Sequence, residues 1–317
     1  MRRARPQDVG QIRDRASYLF VQHARVEQDQ RSIQLLTPTG RVRVPAASLA
    51  VLMLGPGTSI THAAMRSLAE CGCQVTWTYG DHRRTFAGAI NSDQSARRAI
   101  HQARVVSDDR RRLRVARRMY VARFDRPLRA DLTLEQVRGM EGVRVREAYR
   151  QASARTGVPW RGRSFGPSAA DGQDAVNIAL SAASEALYGV CHATVVHAGW
   201  VPHLGVVHTG TATSFVLDIA DLYRAHTVIP AAFDVAAGFG LPGWSPDEVR
   251  KGARAVLRDR LVEHRVLSGL VKDVDEVMDF RRGQVDDEDP ETEERLAGLT
   301  LWDPGGDIDA GRDHGES

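Results

Sequence analysis

The feature that most constrains this chain is a change in hydrophobic period near residue 91. From Ser17 to Ala89, apolar residues form short runs or alternate with polar ones, as in "YLFVQHARVEQ", "SIQLLTP", "GRVRVPAASLAVLML", "QVTWTYG" and "TFAGAI". The turn formers "TPTG", "GPGT" and "GD" separate them, which is the pattern of strands joined by tight turns. One helix interrupts the series, "SITHAAMRSLAECG", with Ser59 or Thr58 as its expected N-cap and Gly72 at its C-terminal end. Past Asn91 the apolar residues recur every three or four positions. "SARRAIHQARVVSDDRRRLRVARRMYVARF" predicts one or two arginine-faced helices, "TLEQVRGMEGVRVREAYRQASARTG" another, and "DAVNIALSAASEALYGVCHATVVHAG" a helix rich in Ala and Ser. "TSFVLDIADLYRAHTVIPAAFDVAAG" and "SPDEVRKGARAVLRDRLVEHRVLSGLVKDVDEVMDF" continue in the same period.

The expected fold is therefore α+β. A small β-rich N-terminal domain occupies residues 1–92, and a larger all-α domain residues 93–283. An acidic tail follows over residues 284–317, where Gly, Pro and carboxylates predict disorder. A length of 317 residues suits one large or two ordinary domains.

Charge is distributed unevenly. The net value is +3, yet residues 97–150 carry 16 Arg against 7 acids and residues 273–317 carry 4 Arg against 16 acids. Such a split points to a basic working surface and an acidic tail. Arginines outnumber lysines by 41 to 2, a bias that a GC-rich genome produces by itself, so their positions are more informative than their identity. No leader-like N-terminus and no apolar run of about 18–20 residues occurs, so a cytoplasmic protein without a membrane partner is expected. Three cysteines, Cys71, Cys73 and Cys191, make neither a disulfide framework nor a four-thiolate site and read as buried thiols.

Two motifs carry less than they first suggest. "VLMLGPGTSITHAAMRSLAECGCQVTW" has the strand–turn–helix order of a dinucleotide site. Its Gly55 and Gly57 are followed by Ile60 where a third glycine belongs, and Pro56 removes a backbone donor. A tight turn is the expectation. His192, His197, His203 and His208 with Cys191 match no zinc spacing and read as scattered helix-end and loop histidines.

Asp218 and Asp221 are different. A separation of three on a helix places both on one face, a turn apart, among Phe215, Val216, Leu217, Ile219, Ala220 and Leu222. Carboxylates in apolar company need a cation. Arg224 could supply it as a salt bridge, or a metal ion could. His208, in a glycine-bounded turn ten residues earlier, could fold back over the helix. Oxygen donors with one imidazole suit Mn²⁺ or Mg²⁺, the ions of phosphate chemistry. Glu141 in "RGMEGVRVR" could join as a further ligand, or serve as ion-pair partner to Arg138, Arg144 or Arg146. In the first case those arginines are placed to hold DNA phosphates.

"LGPGTSITHAA", "RGMEGVRVREAY", "ALYGV", "VVHTG" and "SFVLDIADLY", in this order, resemble the CRISPR adaptation integrase, the first-numbered CRISPR-associated protein, in its type I-E form. The resemblance runs from about Arg13 to Arg282. It implies a β-rich then helical protein that forms homodimers, two of which flank a dimer of the small second adaptation protein in a heterohexamer. It also implies capture of short double-stranded DNA, the prespacer, and joining of its 3′-OH ends to the CRISPR repeat in a reaction needing Mg²⁺ or Mn²⁺. Isolated members resemble metal-dependent DNA endonucleases. Carried over by position, the metal ligands fall on Glu141, His208 and Asp221, with Asp218 the adjacent acid needed for catalysis. DNA-contacting residues fall on Arg66, Arg84 and Tyr188. His23 and Phe165 stand where relatives have tyrosines. Arg138 and Arg146 complete the expected DNA-binding set. A repair nuclease or a non-catalytic DNA-binding scaffold are the alternatives.

Overall fold

The structure, a computed structural model, describes residues 17–30, 32–78, 85–88, 96–124, 127–129, 131–163, 175–238, 245–280, 300–301 and 308–309. Its N-terminal part is built from two four-stranded sheets. The first has the order β1 (Ser17–Val21), β5 (Leu49–Leu54), β7 (Gln74–Thr78), β8 (Thr85–Gly88). Its first three strands run parallel and β8 is antiparallel. The second has the order β4 (Gly40–Pro45), β3 (Ser32–Thr37), β2 (Arg25–Asp29), β6 (Ser59–Ile60). Helix α1 (His62–Glu70) packs against both β2 and β7.

Strand alternation explains why "LAVLML" reads as an unbroken apolar run. Leu52 and Leu54 face the core shared with Val26, Ile33 and Leu68, joined by Leu49 across the register shift that precedes Val51. Val51 and Met53 point the other way, into the core of the helices. A strand buried on both faces needs no polar alternation.

The predicted helices are present, with the breaks now placed. The arginine-faced stretch is two helices, α2 (Arg97–Ser107) and α3 (Asp109–Phe124). Between them Asp108 is extended and its Oδ1 accepts from the backbone N–H groups of Arg110 and Arg111 at 2.8 and 2.9 Å, capping the orphan donors of the second helix. Helix α4 (Leu134–Thr156) starts at a Thr133–Gln136 capping box and ends at Gly157, whose φ of 72° suits glycine. Helix α5 (Ala175–Ala198) has 17 of its 24 residues buried and is the hub. Its Ala, Ser and Gly content allows close approach of α6 (Ser214–Tyr223), α7 (Val228–Gly238), α8 (Pro246–Glu263) and α9 (Val266–Val277), and of the first sheet.

One expectation is corrected. The N-cap of α1 is Thr61, whose Oγ1 accepts from Ala64 N at 3.2 Å, because Ser59 and Ile60 are taken up by pairing with Arg25 and Val26. Further along the chain, β9 (Thr300–Leu301) and β10 (Ile308–Asp309) pair antiparallel, with Ile308 opposite Leu301. Among the described residues no helix is long and apolar enough to cross a membrane.

Candidate active site

Helix α6 presents Asp218 inward and Asp221 at the rim, although both lie on one side of it. The Asp218 side chain is fully buried, whereas that of Asp221 keeps 25% of its exposure. Buried Asp218 is satisfied by the loop that leads into the helix. Its Oδ2 accepts from Val206 N at 2.6 Å and Val207 N at 3.1 Å. Its Oδ1 accepts from His208 N at 2.9 Å and lies 2.7 Å from His208 Nδ1. Three backbone donors and an imidazole remove the cost of burying the charge. Gly205 makes this possible: a Cβ there would sit 2.1 Å from the His208 carbonyl oxygen and 2.6 Å from Ser214 Cβ.

With Nδ1–H donated to Asp218, neutral His208 exposes the lone pair of Nε2, which lies 3.8 Å from Asp221 Oδ2. A carboxylate behind an imidazole is the usual way to fix its tautomer and raise its basicity toward a metal. The Asp218 hydrogen bond is also the main reason that the His208 pKa is raised, against desolvation, with Asp218 and Asp221 adding to it and Arg123 opposing.

Arg123 of α3 reaches the site from inside. Its side chain is 2% exposed, its Nη1 lies 3.5 Å from Asp221 Oδ2, and its Nη2 donates to the Asp218 carbonyl at 3.3 Å. On another flank Tyr188 of α5 and Arg224, at the end of α6, lie in electrostatic reach of Asp221. Burial raises the Tyr188 phenol pKa, opposed by Arg224.

Of the expected ligands, His208 and Asp221 are brought together. Glu141 on α4 is held by Arg144 in a two-point pair, 3.0 Å to each oxygen, and among the described residues no three His, Cys, Asp or Glu side chains converge as a metal cluster. Its ion-pair role is thus the one realised here. The donors nevertheless suit a hard divalent ion. Two bonds of about 2.1 Å span up to about 4.2 Å, so one ion fits between His208 Nε2 and Asp221 Oδ2.

The expected DNA-contacting residues are dispersed. Arg138 and Arg146 are exposed on α4. Arg66 is exposed on α1 and lies 3.7 Å from Glu70. His23 is exposed with φ 50° at the turn it shares with Pro56 and Gly57, donating its N–H to the Pro56 carbonyl at 3.0 Å. Arg84 and Phe165 lie outside the described residues. Sequence reasoning missed Arg123 and the role of Gly205. Arg123 had a signal: it falls in phase with Ala116, Met119 and Tyr120 on the buried side of α3.

The sequence matches the family described as CRISPR associated protein Cas1 over residues 17–130 and 120–237. The chain belongs to the Cas1 family. It is 43% identical over 309 residues to the CRISPR-associated endonuclease Cas1 2 of Thermus thermophilus, covering 97% of this chain and 93% of that protein. With the CRISPR-associated endonuclease Cas1 of Escherichia coli it shares 35% over 268 residues, 84% of this chain and 86% of that one. A crystal structure of a TtCas1–DNA complex superposes with a TM-score of 0.77 at 43% identity, covering 94% of this chain and all of that one. The β-rich then helical architecture is thus that of Cas1 proteins.

Proposed function

We propose that this chain is a divalent-ion-dependent DNA integrase and endonuclease of CRISPR spacer acquisition, of the type I-E kind. It captures short duplex DNA and joins each 3′-OH to a phosphodiester of the CRISPR repeat. One phosphodiester is made for each one broken, so no energy-rich cofactor is needed. The observation that carries this reading is His208 Nε2, oriented by Asp218 and facing Asp221 across 3.8 Å. A Mg²⁺ or Mn²⁺ ion held by His208 and Asp221, with Glu141 as third ligand, would polarise the attacked phosphate and lower the pKa of the attacking hydroxyl. Asp218 holds the histidine in place. Arg224 and Tyr188, within electrostatic reach of Asp221, would offer a cation and a ring to the substrate strand. Exposed Arg66, Arg138 and Arg146 suit backbone phosphates and, with Arg84, extend the grip along the duplex. His23 can stack on its terminal pair.

The relatives' names and the DNA-bound likeness support a protein that handles DNA. In this reading it works as a homodimer, two of which flank the small second adaptation protein. The test is strand transfer of a short duplex into a supercoiled plasmid bearing a repeat, with the partner protein and Mg²⁺ or Mn²⁺. Concerted joining of both 3′ ends is expected. Asp221→Ala should abolish joining in a protein that still folds and binds DNA. Nicking without joining would favour the repair-nuclease alternative. Unchanged strand transfer by Asp221→Ala would leave only a structural role for this cluster.

A further inference from the structure

Arg123 is an unusual neighbour for a cation site. It is an arginine with 2% of its side chain exposed, in a cluster that already balances Asp218 through three backbone donors and His208. Among the described residues its guanidinium has no carboxylate in two-point geometry. Nη1 lies 3.5 Å from Asp221 Oδ2, Nη2 donates to a carbonyl, and the buried Nε has no partner. The Tyr120 ring lies under it, 5.0 Å from Cζ to centroid. A structural ion pair would be made closer than this and in parallel bonds. A positive charge locked against the rim carboxylate has two consequences. It compensates Asp221 when the pocket holds no ion, and it repels any ion that Asp221 does hold.

We infer that Arg123 is the internal counter-cation of the site, a positioning residue that keeps Asp221 facing His208 in the ion-free protein and weakens divalent-ion binding. This rests on the metal-site reading of His208 and Asp221. Two effects of Arg123 on an ion compete. It orients Asp221, which favours binding, and it opposes a second positive charge at the same oxygen, which disfavours it. The first is a single contact at 3.5 Å. The second is a monovalent–divalent repulsion across a few ångströms at a partly buried site, where effective dielectric is about 20 rather than 80, and it dominates.

The experiment is Mn²⁺ titration of chelator-stripped full-length protein, read by calorimetry and by melting temperature, without DNA. Arg123→Met is expected to melt lower than the parent without ion, to bind Mn²⁺ at least about tenfold more tightly, and to gain more melting temperature on Mn²⁺ addition. Arg123→Lys, which keeps the charge, is expected to respond as the parent does. Equal or weaker Mn²⁺ binding by Arg123→Met would overturn the inference. No Mn²⁺ response in the parent would instead overturn the metal-site reading itself. Should Arg123→Met not fold, Asp221→Asn gives an independent measure. Neutralising the partner strands a buried guanidinium, so its ion-free melting temperature should fall. A rise or no change would overturn the proposed pairing.

Discussion

Asp218 and Asp221 show how little residue type alone says about role. The buried acid accepts three backbone N–H groups and orients His208, while the rim acid, backed by Arg123, is partly open to solvent and faces His208. Asp218→Asn keeps the shape but sets an NH₂ group against one set of donors. It should lower stability by about 2–3 kcal/mol, a melting shift of about 5–10 °C, and reduce strand transfer by about 10- to 100-fold through misorientation of His208. Scanning calorimetry and the plasmid assay measure the two. Gly205→Ala is expected to be as damaging to the fold, at about 2–3 kcal/mol. Its methyl would meet backbone and a helix-start side chain, neither of which can swing away. A melting temperature within 2 °C or so of the parent would contradict the tight-turn account.

At the scale of elements, α5 determines which groups titrate. Burial, with His203 nearby, lowers the pKa of His192, and its Nδ1 is buried without a partner. The folded protein therefore resists protonation there more than the unfolded chain does. The sign follows: His192 costs nothing above the unfolded pKa of about 6.5, and stability is lost as pH falls from there toward the lower folded value. Melting between pH 7.5 and 5 should drop less for His192→Gln than for the parent. Cys191 lies on the same helix, fully buried, and burial pushes its thiol pKa up. Thiol alkylation of the native protein followed by mass mapping should therefore modify half-buried Cys71 and spare Cys73 and Cys191.

For the whole molecule, the packing of α9 ends where Phe280 meets the rings of His101 and Trp200 and the Arg98 guanidinium. Removing the residues after Gln284 should leave the melting temperature within a few degrees, because a ribbon of two-residue strands has no core of its own. A larger loss would show that the acidic tail packs on the domain. The dispersed arginines belong to this scale too. If Arg66, Arg138 and Arg146 all face one duplex, its affinity must fall steeply with salt, and each Arg→Ala change should flatten the slope by about one.

Much of this was legible in sequence. The switch in period gave element types and their order, since amphipathic periodicity records which residues leave water. The apolar surroundings of Asp218 and Asp221 marked a site, whereas the capping boxes at Thr133 and Ser245, though spelled out in the sequence, were identified only in the structure. Three things were decided only by packing. The rotation of α6 about its axis made one aspartate a buried anchor and the other a rim donor, because a spacing of three puts both on one side without saying which faces the core. Pairing of Ser59 and Ile60 with β2 moved the start of α1 to Thr61, since backbone hydrogen bonding to a distant strand outranks a local cap. And Arg123, one of many arginines on its helix, became part of the site because α3 lies against α6 there, which local spacing does not encode.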